Sequence, residues 1–200
     1  MKKSFIYSSI FILLVLLGVL FFVYSENHTQ NGEKYSGKDM EFVYPNTLTL
    51  EEKKDEVILS HAVPFVHPDP CDFRGDGEDL QEIRDFHVSL ELIENTMDDV
   101  IKQKQWDTFE MNVSPGYIDE YSVGNYQGYR VMNGIEGCGY FSYYFPLGEE
   151  KTLYLTRAYV TELLPITSEY EKHLALPNIF VPEREEAIFE SILSSFKVIR

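Results

Sequence analysis

At 200 residues with 44% hydrophobic content, the chain is long enough to bury one core without a structural metal or a framework of disulfides. Its formal charge of −16 repels nucleic acid and anionic lipid headgroups, so neither is a partner recognised by charge. With 14 Tyr and 14 Phe the chain is too aromatic to be an acidic disordered segment, and it reads as folded and well solvated.

After Lys2 and Lys3 comes "FIYSSIFILLVLLGVLFFVY", Phe5 to Tyr24, without a charge. At ~1.5 Å per residue such a helix matches a ~30 Å hydrocarbon core, which predicts an N-terminal transmembrane helix. The two lysines would stay in the cytoplasm and send the remainder across. The rival reading is a signal peptide cleaved after Ser25. Either one places the body outside the cytoplasm, the first as a single-pass protein of the cell membrane. Residues 26–38 are polar and contain two glycines, and they read as a tether.

The body, residues 39–200, opens with a strand-like run from Met40 to Tyr44 and a second from Val57 to Val63. A loop with Pro64, Pro68 and Pro70 follows. In "DFHVSLELI", Phe86, Val88, Leu90 and Leu92 alternate with other residues, as a half-buried strand requires. Asn95 or Thr96 caps a short helix with Met97, Val100 and Ile101 on one face. Three aromatic and β-branched segments between about Tyr121 and Leu164 predict successive antiparallel strands in a meander. The run "TSEYEKH" suggests a helical turn. Pro182 then opens a terminal helix with acids in its first turn and Ile188, Ile192, Leu193 and Phe196 on its apolar face.

The fold class expected is therefore α+β, an antiparallel sheet flanked by helices. "MEFVYP", "VILSH", the central aromatic strands and the closing "IFESILSSFKVI" resemble small exported bacterial domains of the PsbP/Mog1-like α/β/α sandwich type, over roughly residues 38–200. The resemblance implies a sheet flanked by helices and a group that includes assembly factors and binding proteins. It carries over no catalytic residue.

Cys71 and Cys138 in an exported domain are most simply a disulfide, with a free pair as the alternative because distant cysteines need not meet. Around Cys71 the stretch "VHPDPCDFRGDGED" offers several ligand chemistries. Asp72, Asp76, Glu78 and Asp79 are hard oxygen donors for calcium, although Arg74 at the third position and Ile83 at the twelfth break an EF-hand frame. His61, His67, Cys71 and His87 are candidate transition-metal ligands without a common zinc spacing. The tripeptide from Arg74 to Asp76 matches an adhesion signal by letters alone.

Gly134, Gly137 and Gly139 surround Cys138 without a phosphate-loop lysine or dinucleotide spacing, and read as a close backbone approach. The acid pairs Asp98-Asp99, Asp119-Glu120 and Glu149-Glu150 fix no catalytic separation. In "YFSYYF", Tyr140 and Tyr144 share one face and Phe141, Tyr143 and Phe145 the other, with packing favoured over ligand display.

The function expected is a membrane-anchored binding or assembly module without chemistry or cofactor of its own, its partner an envelope protein or small ligand. Two alternatives remain: a hydrolase or metal-dependent enzyme using His61, His67 and the acidic loop, and a calcium-responsive surface protein.

Overall fold

The computed structural model describes residues 32–104, 118–135 and 138–199. In chain order the elements are β1 (Gly32–Ser36), β2 (Met40–Pro45), β3 (Thr49–Glu52), β4 (Glu56–His67), β5 (Leu80–Ile93), α1 (Met97–Lys104), β6 (Ile118–Val123) and β7 (Tyr126–Ile135). There follow β8 (Cys138–Pro146), β9 (Thr152–Ala158), a 3-10 turn (Thr161–Leu163), α2 (Tyr170–Leu174), α3 (Pro182–Ser195) and β10 (Lys197–Val198). The strands make a three-stranded sheet in the order β1-β2-β10 and a seven-stranded sheet in the order β3-β4-β5-β9-β8-β7-β6. Every pairing is antiparallel.

The inward parity of the central strands builds the main core. Phe86, Val88 and Leu90 of β5, Leu153 and Leu155 of β9, and Tyr143 and Phe145 of β8 are fully buried against Phe189, Ile192 and Leu193 of α3. The small sheet adds Met40, Phe42 and Tyr44 to the same core. Burying each such side chain stabilises the fold by roughly 1.5–3 kcal/mol, which outweighs the weak helix propensity of α3's β-branched positions. On the opposite face, Val100 and Ile101 of α1 cover Val131, Tyr144 and Tyr154. Thr96 starts α1, its hydroxyl accepting from the Asp99 N–H at 3.2 Å.

Several expectations need correction. Strands occupy 49% of the described residues and helices 20%, so the body is a two-sheet, mainly β structure and not an α+β sandwich of one sheet between helices. The difference arises where strands lack apolar alternation. Thr49–Glu52 pairs with β4 and Lys197–Val198 with β2 through the backbone ladder, with Lys197 also reaching Glu41 at 3.8 Å. Gly32–Ser36, inside the segment read as a tether, is also a strand: Tyr35 packs on Phe42 at 5.0 Å and its hydroxyl donates to Glu52 at 3.1 Å. The predicted spanning helix falls on residues 5–24, outside the described residues. Among the described residues no helix is long and apolar enough to cross a membrane.

Cys71 and Cys138 form a disulfide with a Cα–Cα separation of 5.7 Å, joining the β4–β5 loop to the start of β8. Beside it Gly134 and Gly139 pair across β7 and β8, both with positive φ. A Cβ on either would lie 2.0 Å from a backbone carbonyl oxygen of the opposite strand, so this close approach needs glycine. Gly137 lies outside the described residues. Both faces of "YFSYYF" are consumed by packing at Tyr143, Tyr144 and Phe145, leaving Tyr140 41% exposed. Removing the disulfide through Cys71→Ser with Cys138→Ser should lower the unfolding free energy by about 2–4 kcal/mol in urea melts, and prior reduction should have no further effect on the variant.

Candidate functional site

The two long strands β4 and β5 do not pair evenly. Val63 faces Ile83 and His61 faces Phe86, so β5 carries one extra residue and the sequence neighbours Asp85 and Phe86 are both fully buried. The Asp85 carboxylate is satisfied on both oxygens. Oδ1 accepts from His61 Nδ1 at 2.6 Å and Oδ2 from the Phe180 N–H at 2.6 Å. Phe180 stacks on the His61 ring at 4.1 Å, and the Arg184 guanidinium lies 4.4 Å over Phe180.

Next to this anchor, Arg157 of β9 and Glu185 of α3 form a nearly buried ion pair with side chains 12% and 9% exposed. Arg157 Nε donates to Glu185 Oε1 at 2.8 Å, and Nη2 to Glu185 Oε2, a two-pronged contact. Arg157 Nη1 reaches Glu186 at 2.6 Å, and the guanidinium lies 4.8 Å over Phe189. Burial works against the guanidinium's charge, yet the Glu185 carboxylate outweighs it and holds the pKa above its ordinary value. Burial also pushes the Tyr143 hydroxyl up, so it stays neutral beside Arg157.

Asp85, Arg157 and Glu185 floor a cleft of about 180 Å³. Its walls are apolar: Phe141, Tyr159, Val160, Leu163, Leu164 and Phe180. Arg157 and Glu185 bind each other and Asp85 binds His61 and the Phe180 N–H, so the cleft offers apolar surface above satisfied charges. That suits reception of an apolar group better than proton transfer.

The residues singled out from sequence are scattered. His61 sits at the Asp85 anchor. His67 lies further along β4, Nδ1 facing the Pro68 carbonyl at 2.8 Å and Nε2 the Glu82 carbonyl at 3.3 Å, with the Glu162 carboxylate at 3.6 Å. His173 packs near it, ring centres 6.0 Å apart. His87 faces Ser60 across the sheet, and burial lowers its pKa. Cys71 is committed to the disulfide, whose sulfur lies 3.7 Å from the Thr161 hydroxyl. Asp72 turns inward on its own loop, accepting from the Gly77 N–H at 2.7 Å and the Arg74 N–H at 3.1 Å. Asp76, Glu78 and Asp79 are exposed, as are Arg74 and Gly75. Among the described residues, no three His, Cys, Asp or Glu side chains are grouped to hold a metal.

Asp85, Arg157 and Glu185 escape a motif search, but parity marks two of them. Arg157 continues the inward series Leu153, Leu155, and Glu185 continues the stripe Ile188, Phe189, Ile192 backwards by helical spacing. Opposite charges on two core-facing rows were the available signal.

No protein-family model matches the chain, and no curated protein matches it in sequence. A crystal structure of a protein from Bacteroides thetaiotaomicron VPI-5482 aligns with a TM-score of 0.46 and 10% identity. The alignment covers 86% of this chain and 50% of that one, so this chain spans half the length of its neighbour.

Arg157→Ala leaves Glu185 buried without its cation and should cost about 3–5 kcal/mol, whereas Arg157→Met with Glu185→Leu should recover most of that loss in urea melts. The acidic loop has a separate signature. Hydrogen bonds from Gly77 first, with Arg74, Gly75 and Asp76, hold the Asp72 carboxyl below its ordinary value. This contribution is present above the unfolded-state pKa and is lost as pH falls through the lower folded value. The Gly77 amide resonance should therefore titrate with a midpoint below ~3.9, and a midpoint at or above that value would contradict the loop geometry.

Proposed function

We propose that the body acts outside the cytoplasm as a binding module that receives an apolar group in the Arg157–Glu185 cleft, without chemistry of its own. The observation that carries this reading is the self-paired floor. Arg157 spends its hydrogen bonds on Glu185 and Glu186, and Asp85 on His61 and the Phe180 N–H, beneath apolar walls. A disulfide between Cys71 and Cys138 supports an oxidising compartment, because cytosolic thiols are kept reduced. The acidic surface supports a protein or small molecule as partner and argues against nucleic acid.

A hydrolytic reading retains one supporting observation, the Asp85 carboxylate on His61 Nδ1, which would orient the ring for a base at Nε2. The other Asp85 oxygen, however, holds the Phe180 backbone, and Phe180 covers the ring face. Both contacts give the dyad a structural role.

Xenon is a suitable probe of apolar cavities. Under xenon pressure the amide resonances of Val160, Leu163 and Leu164 should shift in the full chain, and Leu164→Trp should remove the response while leaving the melting temperature within a few degrees. An unresponsive cleft would overturn the binding reading, and hydrolysis of an ester panel abolished by His61→Gln would replace it with the hydrolytic one.

A further inference from the structure

Resting on the binding reading, we infer that the cleft's partner is a cationic protein segment that inserts one apolar side chain between Val160, Leu163 and Leu164 while its basic residues face the acidic loop. The disulfide places that loop there. Cys71 is bonded to Cys138, and the bridge touches Thr161 of the 3-10 turn that supplies the cleft wall, at 3.7 Å from Cys71 and 4.0 Å from Cys138. The loop thus stands beside the cleft in every oxidised molecule.

Its charge is unbalanced. Between His67 and Leu80 the chain carries Asp69, Asp72, Asp76, Glu78 and Asp79 against Arg74 alone. Asp69 and Asp72 are used internally, accepting from the Cys71, Arg74 and Gly77 N–H groups. Asp76, Glu78 and Asp79 are exposed and make no ion pair among the described residues. Their field attracts cations to this end of the molecule, most strongly at low ionic strength.

Exposed apolar side chains gather at the same end. Val66 precedes the loop, Phe73 (61% exposed) lies within it, and Leu80 follows it. Tyr140 sits two residues beyond Cys138, and Ile166 (80% exposed) follows the cleft wall, held near Thr161 by the Thr167 hydroxyl donating to the Thr161 carbonyl at 2.7 Å. Among the described residues, the one other exposed large apolar side chain, Val43, lies elsewhere, on β2. An apolar cleft, an apolar margin and unpaired carboxylates fit an interface with a central anchor and a charged rim.

The test titrates the full chain with four amidated pentapeptides, KKLKK, KKSKK, EELEE and GGLGG, following the Val160, Leu164 and Gly77 amide resonances. KKLKK should bind at least about tenfold more tightly than the other three, a difference of about 1.4 kcal/mol, and should weaken as salt rises. Leu164→Trp should abolish the shifts at Val160. Asp76→Asn with Glu78→Gln and Asp79→Asn, exposed and without a folding role, should weaken KKLKK about threefold or more and blunt its salt dependence. Equal binding of EELEE, or an unchanged affinity in the triple variant, would overturn the inference. Equal binding of GGLGG, still sensitive to Leu164→Trp, would overturn the cationic partner while sparing the apolar cleft. Silence of the cleft amides with every peptide would also overturn it, and the xenon response separates that outcome from failure of the binding reading.

Discussion

A guanidinium largely buried at the margin of the main core has to be neutralised there, and this requirement fixes how the terminal helix meets the large sheet. Arg157 points inward from β9 in line with Leu153 and Leu155, with 12% of its side chain left to water. Glu185 in the first turn of α3 supplies the counter-charge through two hydrogen bonds. A buried pair of this kind adds little net stability over an apolar replacement, but its geometry is demanding. Sliding α3 by one turn, about 5.4 Å, would break both bonds and strand two charges. Ile188, Phe189 and Ile192 alone would tolerate more than one seating on a greasy sheet; the pair selects one. Asp85 acts similarly on the segment before α3, binding the Phe180 N–H from the bulge in β5.

The cleft follows from those two anchors. The chain leaves β9 at Ala158, turns through the 3-10 segment and returns at Phe180 to enter α3. Arg157, through Glu185, and Asp85, through the Phe180 N–H, fix the two ends of this excursion, and Thr161 rests against the disulfide. Fixed ends and an apolar lining leave room that the side chains do not fill.

The large sheet is two meanders, β3-β4-β5 and β6-β7-β8-β9, joined along β5 and β9. The second was legible as a meander, but its first predicted strand is a hairpin, β6 and β7, turning at Gly124, and β3 was not legible. Alternation at Phe86, Val88 and Leu90 and the caps at Thr96 and Pro182 reported real local physics. The small sheet was not legible. Gly32–Ser36 is a polar strand marked only by its hairpin with β2 three residues on, and Lys197–Val198 is a two-residue piece whose strand character comes from β2 at the far end of the chain. The metal expectations around His61, His67 and Asp72 drew on residue types that are each engaged by a neighbour: His61 with Asp85, His67 against the Pro68 and Glu82 carbonyls, and Asp72 with its loop's own amides. The cleft stayed hidden because its charges were judged by motif, whereas their meaning lay in parity.

The pairing of β10 with β2 also bears on how the body can be made. Lys197 pairs with Glu41, and the Ile199 N–H donates to the Asp39 carbonyl at 2.9 Å. Phe42 and Tyr44, on that same strand, share the core with Ile192 and Leu193 of α3. A chain delivered from its N-terminus, by a ribosome or through a translocation channel, presents β2 long before its last partners emerge. Until then one edge of β2 and the apolar face beneath α3 stay open to other chains. Completion is thus a late, long-range event, and the interval before it is when this protein would most need a chaperone.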